Sequence, residues 1–392
     1  MSARAKSQQQ GFGVDHLPYG VVRPGHGGEA RCVARLGDEA IDLAALDLSV
    51  DPATFSGGTL NRFCAAGPDA WESVREELQR RIEDDDELPK FALSDVDVVL
   101  PLDIGDYVDF YSSLNHATNL GRLFRPDSEP LMPNWRHLPI GYHGRSGTVA
   151  VSGTPVRRPS GLVKDGESVV HRPSATLDIE LEVGFVVGHE IPPGACPRPD
   201  DAASHVFGVA LVNDWSARDI QAFEYQPLGP FLGKSFLTTM SGWITPMAAL
   251  EPYLVCSPDQ QPAPADHLHA SRGWGLDLDL SVELNGTTVS KTNFSDLYWT
   301  FAQQLSHMTS NGASARPGDL FASGTVSGDQ PGTYGSFIEL SWRGRDPIEL
   351  ADGSKRTFLE DGDTVVLRGS AGLPTSDPAL ELGTVEGTIH PA

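Results

Sequence analysis

The chain has 392 residues, which suggests about two domains or one large β-rich domain. It carries 29 Lys and Arg residues against 53 Asp and Glu residues, a formal net charge of -24, which argues against a general role in binding nucleic acid or anionic membrane surfaces. Hydrophobic residues make up 39%, while 41 Gly and 30 Pro residues indicate many turns, so we expect a folded, β-rich protein. No apolar run is long enough to form a membrane-spanning helix.

The N-terminus and the cysteines predict a cytoplasmic protein. Residues 1–13 have no apolar segment after their basic residues, so they do not resemble a secretory signal. Cys32, Cys64, Cys196 and Cys256 are far apart and form no CxxC pair, which gives no support for a thiolate metal site or a redox motif. Sparse thiols without an export signal are typical of a reducing compartment.

The first hundred residues contain two short elements and a helix. Residues 31–43 predict two strands around a Gly-Asp turn. Apolar residues recur at steps of three and four between 69 and 83, which predicts an amphipathic helix. The acidic run 83–87 that follows is interpreted as an exposed linker.

From about residue 100 the pattern becomes that of strands. Residues 176–188 alternate strictly, and 206–214 form a nearly continuous apolar run, as expected of a strand buried on both faces. The strand at 276–286 ends in Asn-Gly, a hairpin signal. A helix is predicted over 295–308, with Ser295 as its N-cap and Asn311-Gly312 at its end.

Acidic residues mark a candidate metal site. Glu180 and Glu182 share one face of the alternating strand with Asp178, while Asp214 ends the buried strand and Asp109 precedes two aromatic residues. Oxygen ligands without cysteine suit Mg²⁺, Ca²⁺ or Mn²⁺. The alternative is a polar strand face that simply points to solvent.

Other residues predict chemistry on a small anion. His116 lies in a polar, turn-prone segment and is the candidate base, although a lone histidine is more often structural. Arg218 and Lys234 could grip a carboxylate or stabilise an oxyanion. The chain has no GxSxG, GxxxxGK[ST] or HExxH motif and no GxGxxG after a strand. These absences favour a metal and an activated water over a covalent serine or a dinucleotide.

Six segments carry a resemblance over nearly the full length: 106–126, 133–159, 177–188, 213–236, 316–328 and 335–342. In them the chain resembles the fumarylacetoacetase (fumarylacetoacetate hydrolase) family; the HATN segment (116–119) and the PNW and GYHGR segments (133–145) are its narrowest motifs. The resemblance implies a mainly β (α+β) protein. It implies an N-terminal SH3-like barrel domain (1–100), a C-terminal catalytic domain with a mixed β-roll (101–392), and a homodimer.

The resemblance also implies an activity. Members of the family hydrolyse the carbon–carbon bond of 4-fumarylacetoacetate to fumarate and acetoacetate, the last step of tyrosine and phenylalanine breakdown. The implied cofactor is Mg²⁺, Ca²⁺ or both. One alternative is hydrolysis of another acylpyruvate or β-diketo acid by the same superfamily, and a second is a non-catalytic calcium-binding or scaffold protein.

Carried over residue by residue, the resemblance implies three sets of site residues. The cation would be held by Asp109, Glu180, Glu182 and Asp214, with Lys234 and Thr238 near a second metal site. The catalytic set would be His116 as general base, Glu339 as its orienting partner, and Arg218, Gln221 and Lys234 as stabilisers of the oxyanion and the leaving carbanion. Substrate contacts would come from Tyr111, Arg125, Tyr142, Gln221, Tyr225 and Thr325. One departure is Leu237, where the family usually has glycine, which puts the backbone near Thr238 in question.

Overall fold

The structure is a computed structural model that describes residues 11–25, 27–372 and 380–392. Most of the N-terminal segment interpreted above as lacking a secretory signal, residues 1–10, lies outside these ranges. Within the described ranges, no helix combines the length and the apolar character that crossing a bilayer would require.

Short strands dominate the secondary structure. The strands are β1 Tyr19–Pro24, β2 Arg31–Leu36, β3 Glu39–Asp42, β4 Lys90–Ala92, β5 Val96–Val99, β6 Tyr107–Phe110, β7 Gly141–His143, β8 Val149–Val151, β9 Val156–Arg157, β10 Ser160–Asp165, β11 Ser168–Pro173, β12 Leu177–Asp178, β13 Leu181–Val187, β14 Val206–Asp214, β15 Ser216–Ala217, β16 Thr238–Met240, β17 Trp243–Pro246, β18 Leu254–Val255, β19 Gly275–Leu276, β20 Asp279–Leu284, β21 Thr287–Asn293, β22 Leu320–Ala322, β23 Ile348–Glu349, β24 Lys355–Arg356, β25 Thr364–Ala371 and β26 Leu380–His390. The α-helices are α1 Asn61–Ala65, α2 Pro68–Glu83, α3 Leu114–Phe124, α4 Pro199–Ala202, α5 Arg218–Glu224, α6 Met247–Leu250, α7 Phe301–Thr309 and α8 Phe337–Leu340.

A 13-stranded mixed sheet runs through the molecule, with the main order β4-β3-β2-β1-β17-β14-β13-β22-β6-β7. The N-terminal strands join the rest where β1 pairs with β17, with Tyr19 opposite Ile244 and Gly20 opposite Trp243. This order places β14, β13, β22 and β6 side by side. Carboxylates on β6, β13 and β14 can therefore meet although they are far apart in the sequence.

The central strands β13 and β14 are buried on both faces. Every residue of β14 is buried, which confirms the prediction for 206–214. On one face, Val209 and Leu211 pack in the core shared with a second sheet of order β21-β20-β25-β26-β9. On the other face, Ala210 and Val212 join a core that includes residues of β1 and α2. The apolar run is continuous because both faces need apolar side chains.

Two local predictions are confirmed in the flanking parts. Helix α2 starts with Pro68 at its first position and buries Val74, Leu78 and Ile82 on one face, as the spacing predicts. The β20–β21 hairpin turns at Asn285 and Gly286, whose φ angles are 49° and 76°, as a two-residue Asn-Gly turn requires.

The predicted start of the helix over 295–308 is wrong. Helix α7 begins after Thr300, whose side chain accepts a hydrogen bond from the Gln303 backbone N–H in a capping box. Ser295 lies instead in a single 3₁₀ turn, Phe294–Asp296, that is capped by Asn293. The amide of Tyr298 donates to the carbonyl oxygen of Ser112, and this tertiary hydrogen bond holds the segment out of the helix.

The architecture is mainly β with some helices in mixed sheets, as expected. The SH3-like form of the N-terminal part and the domain division after residue 100 stay predictions, because the N-terminal strands continue into the large sheet rather than forming a separate sheet.

Candidate active site

Four carboxylates converge at one end of the central strands. Asp109 lies on β6, Glu182 on β13 and Asp214 at the end of β14, while Glu180 immediately precedes β13. All four side chains are buried, and each offers an oxygen within 4.8 Å of the others. The neighbouring strands produce this convergence, because Leu181 pairs with Asn213 across the β13–β14 ladder.

This donor set fits a divalent cation. Both carboxylate oxygens of Glu182 and Oδ1 of Asp109 are buried and have no hydrogen-bond partner among the described residues. Burial and the charges of the neighbouring carboxylates raise the pKa of Asp109 and of Glu182 well above their usual values. Unpaired carboxylates in such a place are stabilised by a hard cation that accepts six or more oxygen ligands.

Lys234 already neutralises part of the cluster. Its Nζ atom lies 2.5 Å from Oδ2 of Asp214 and also contacts Oε2 of Glu180. Burial acts to raise the pKa of Glu180, but the charges of Lys234 and Arg218 outweigh it, and the pKa is lowered overall. Glu180 is therefore ionised, whereas Glu182 forms no ion pair with a cationic side chain in the described part of the chain.

Thr238 and Leu237 flank the cluster on the β16 side. The Thr238 hydroxyl donates a hydrogen bond of 3.2 Å to Oδ1 of Asp214. Leu237 is not among the described non-glycine residues with positive φ, so its backbone conformation is one that any residue adopts. The departure from glycine at this position therefore introduces no backbone strain.

His116 points between the cluster and Glu339. It lies in the first turn of α3, where its backbone N–H donates to the side chain of the N-cap Ser113. Its Nδ1 atom is 2.7 Å from Oε2 of Glu339, and its Nε2 atom is 3.9 Å from Oε1 of Glu180. Because a carboxylate only accepts, neutral His116 carries its proton on Nδ1 and presents the Nε2 lone pair towards the cluster.

Three side chains that the sequence reasoning missed hold Glu339. Ser327 and Ser336 donate hydrogen bonds of 2.9 Å and 2.7 Å to Oε2, and Asn119 donates one of 3.0 Å to Oε1. Burial acts to raise the pKa of Glu339, but His116, Asn119 and Ser336 lower it overall. Only Asn119 had a sequence signal, since it follows His116 by three residues and so shares its helix face.

Arg218 begins α5 and is held on three sides. Its Nε atom donates to Oδ2 of Asp178 over 2.8 Å, its Nη2 atom lies 2.8 Å from Oε1 of Glu180, and its Nη1 atom donates to Oε1 of Gln221 over 3.1 Å. Asp178 therefore does not join the carboxylate cluster, contrary to the strand alternation. The regular strand is interrupted between Asp178 and Leu181, which turns Asp178 towards Arg218.

A cavity of about 370 Å³ opens beside these groups. Its lining includes all the side chains for which the resemblance implies substrate contact, namely Tyr111, Arg125, Tyr142, Gln221, Tyr225 and Thr325. Asp109, His116, Glu180, Arg218 and Lys234 also line it. Asp214 and Thr238 line a smaller neighbouring cavity of about 210 Å³. Glu182 and Glu339 line neither cavity.

Two family models match the chain. The one described as Fumarylacetoacetase N-terminal matches residues 15–101, and the one described as Fumarylacetoacetate (FAA) hydrolase C-terminal matches residues 107–390. Fumarylacetoacetase from Homo sapiens is 45% identical over 394 aligned residues, covering 94% of both chains. Fumarylacetoacetase from Caenorhabditis elegans is 43% identical and covers 98% of both.

A solved structure supports the same fold. The fumarylacetoacetate hydrolase from Exiguobacterium antarcticum is 14% identical, with a TM-score of 0.59, covering 96% of this chain and 100% of the other. At that identity the likeness concerns the fold alone, whereas the family models and the relatives above share sequence over nearly the whole chain. The chain therefore belongs to the fumarylacetoacetase family.

Proposed function

We propose that this protein hydrolyses 4-fumarylacetoacetate to fumarate and acetoacetate with the help of a divalent cation. The single observation that carries the proposal is that a cluster of four buried carboxylates and the His116–Glu339 pair lie together, with Asp109, Glu180 and His116 lining one cavity. The close relatives are named fumarylacetoacetases, which supports the substrate. A scaffold protein would not need a base and two cationic side chains turned towards such a cavity.

The cation would be held by Asp109, Glu180, Glu182 and Asp214. We propose Mg²⁺ or Ca²⁺, since all four ligands are carboxylates. When bound, such a cation polarises carbonyl oxygens as a Lewis acid. Thr238 and Lys234 border the cluster and support the second metal position that the resemblance implies.

His116 acts as the general base. Its Nε2 atom takes a proton from water while the water oxygen attacks the ketone carbon next to the fumaryl double bond. Glu339 keeps the Nδ1 proton in place and stabilises the imidazolium that forms. The ionised state of Glu339 suits this task, because a neutral carboxyl would not stabilise the positive ring.

Arg218, Lys234 and Gln221 stabilise the negative charge that develops. The attacked carbonyl becomes an oxyanion, and Arg218 and Lys234 line the cavity where it forms. The carbon–carbon bond then breaks, its electron pair leaves as the enolate of acetoacetate, and a proton returns to that carbon. One water is consumed, fumarate takes its oxygen, and one proton is released from the new carboxylic acid.

The substrate is a dianion, and the lining of the cavity supplies a cationic side chain and hydroxyl groups that can bind its carboxylates. Arg125 lines the cavity, where its guanidinium can pair with a carboxylate. Tyr111, Tyr142, Tyr225 and Thr325 add hydroxyl groups to the lining. A small anion can therefore bind although the whole protein is acidic.

The experiment is direct hydrolysis by the purified protein, followed by the loss of diketone absorbance. We expect turnover of fumarylacetoacetate, its loss after chelation, and its return with Mg²⁺ or Ca²⁺. Full activity in chelator would contradict the cation. Equal or faster turnover of a shorter acylpyruvate would assign a different substrate in the same superfamily.

We also propose a homodimer in the cytoplasm, with an N-terminal domain over 1–100 and a catalytic domain over 101–392. The bounds of the two family matches support the division.

Leu228 and Phe231 are 97% and 64% exposed, an apolar surface of the kind that a subunit interface covers. All four cysteines are free, which suits a reducing compartment. Sedimentation of the purified protein as a monomer would contradict the dimer.

A further inference from the structure

We propose that Asp178 is a positioning residue that links the two halves of the active site, Arg218 on one side and the helix carrying Glu339 on the other. This inference rests on the proposed function, because it concerns groups assigned to the same reaction. Asp178 is fully buried and lines neither cavity at the site. It therefore acts on the reaction only through the groups that it holds.

The carboxylate of Asp178 accepts four hydrogen bonds. Oδ2 accepts from Nε of Arg218 over 2.8 Å and from the amide of Ile338 over 3.1 Å. Oδ1 accepts from the amide of Phe337 over 2.6 Å and from the amide of Ile179 over 2.8 Å. Each oxygen has two donors, so the carboxylate has little capacity left for a cation.

Three of these donors belong to two separate helices, Arg218 to α5 and Phe337 and Ile338 to α8. Arg218 lines the cavity and lies 2.8 Å from Oε1 of Glu180. Phe337 and Ile338 begin α8, and Glu339 is the next residue, 2.7 Å from Nδ1 of His116. A displacement of Asp178 would therefore move both Arg218, which stabilises the oxyanion, and Glu339, which holds the base His116.

Asp178 connects parts of the site that come from distant segments of the chain. Asp178 and Phe337 are 159 residues apart in the sequence, and Asp178 and Arg218 are 40 residues apart. Arg218 has other contacts, but Nε has Asp178 as its partner, and this bond fixes the plane of the guanidinium. The N–H donors of a guanidinium lie in its plane, so the orientation of that plane determines how well Arg218 donates to the oxyanion.

The test is Asp178→Asn, which keeps the size and turns one oxygen into a donor. Each carboxylate oxygen accepts from two N–H groups. Whichever oxygen becomes the amide nitrogen, it therefore faces two donors and can accept from neither. We expect kcat to fall by about ten- to a hundredfold, the scale of a small misplacement, with KM little changed. The matched control is Asp363→Asn, another buried aspartate that is paired with an arginine, Arg356, outside the cavities described above. It should leave kcat and KM unchanged.

Double-mutant cycles separate positioning from general damage to the fold. We expect Asp178→Asn to cost less in kcat when Arg218→Gln is already present, and also when Glu339→Gln is already present, because each variant removes one of the two groups through which Asp178 acts. Losses that multiply in either cycle would overturn the link, and so would an unchanged kcat in Asp178→Asn. If that variant does not fold, Asp178→Ser, which leaves room for water, takes its place with the same expectations.

A second measurement needs no turnover. Amide hydrogen exchange in a peptide covering 337–341 should become faster in Asp178→Asn and not in Asp363→Asn. Unchanged exchange there would overturn the link to α8. If the wild-type protein does not hydrolyse fumarylacetoacetate, the proposed function fails, while the exchange result still decides whether Asp178 holds the helix.

Discussion

Glu180 and Glu182 are two residues apart, yet their surroundings are opposite. Glu180 is in contact with Lys234 and Arg218, whereas neither oxygen of Glu182 has a hydrogen-bond partner among the described residues. The pKa of Glu180 is lowered, and that of Glu182 is raised by burial and by the neighbouring aspartates. Of these two glutamates, Glu182 is thus the one whose ionisation depends on a bound cation.

His116→Ala tests the base at the same scale. We expect kcat to fall about 10²-fold or more, because a positioned base contributes about that much. The fold should persist, since α3 keeps its Ser113 cap and alanine favours helix. Steady-state kinetics and circular dichroism measure the two effects.

The matched control for that variant is His171→Ala. His171 lies on β11, where it is exposed and lines neither cavity of the site. The His171→Ala variant should have the same kcat as the wild type. A His116 variant with the same kcat as this control would remove His116 from the mechanism.

The residues of the site differ in how far the sequence could reveal them. Glu180, Glu182 and Asp214 are visible because alternation and a strand end place acids together. Ser327 and Ser336 are not visible, because their role depends only on their distance from Glu339 in the folded chain. Asp178 is misassigned by alternation, since the strand is interrupted just after it.

At the scale of elements, the turn after β22 places Thr325 in the cavity. Gly324 has a φ of 77°, and a Cβ at this position would lie 2.1 Å from the carbonyl oxygen of Phe110. Gly324→Ala should therefore lower the free energy of unfolding by about 1–3 kcal/mol and raise KM as Thr325 moves. Urea unfolding and kinetics measure both.

Gly353→Ala is the control for backbone strain alone. Gly353 has a φ of 83° with open space around its Cβ position. The strain of the left-handed region alone should lower its free energy of unfolding by about 1 kcal/mol, with KM unchanged. Equal losses in the two variants would contradict the close approach at Phe110.

A buried histidine joins the N-terminal segment to β17. Nδ1 of His16 lies 3.0 Å from the carbonyl oxygen of Gly11, and Nε2 lies 2.9 Å from the hydroxyl of Thr245. Nδ1 must donate to a carbonyl, so in the neutral ring Nε2 accepts from the Thr245 hydroxyl. Burial, together with the charges of Arg75 and Arg35, lowers the pKa of His16 from 6.5 to about 3.

The lowered pKa sets the sign of a pH dependence. Below pH 6.5 the unfolded chain binds a proton at His16 that the folded protein does not bind until about pH 3. The contribution of His16 to the free energy of unfolding is complete at pH 7 and falls by about 1.4 kcal/mol per pH unit below 6.5. The difference in unfolding free energy between the wild type and His16→Gln should therefore shrink between pH 7 and 5. A difference that does not change with pH would contradict a neutral buried ring.

Elements with strong local signals are predictable from this sequence, and those set by tertiary contacts are not. The run 206–214 coincides with β14 because a strand buried on both faces needs apolar side chains at nearly every position. The start of α7 shifts to Thr300 because a hydrogen bond from Tyr298 to Ser112 competes with helix formation. No local pattern reports that bond.

At the scale of the whole molecule, the four carboxylates tie distant parts of the chain together. Asp109 comes from β6, Glu180 and Glu182 flank the start of β13, and Asp214 ends β14. The unfolded chain cannot bring these groups together without a large loss of conformational entropy. A cation held by all four would bind the folded state and not the unfolded one, so it should stabilise the protein by mass action.

Thermal unfolding with and without cation tests this coupling. At a Mg²⁺ or Ca²⁺ concentration about a hundredfold above Kd, the wild type should gain about 2.7 kcal/mol over the chelated protein. Glu182→Gln should lose most of this gain, because its amide is a weaker ligand. In chelator it should remain about as stable as the wild type, because the raised pKa of Glu182 already favours an uncharged side chain of similar shape there. Glu190→Gln, an exposed glutamate just beyond β13, should keep the full gain. An equal gain in Glu182→Gln and in the wild type would remove Glu182 from the cation site, whatever the effect on turnover.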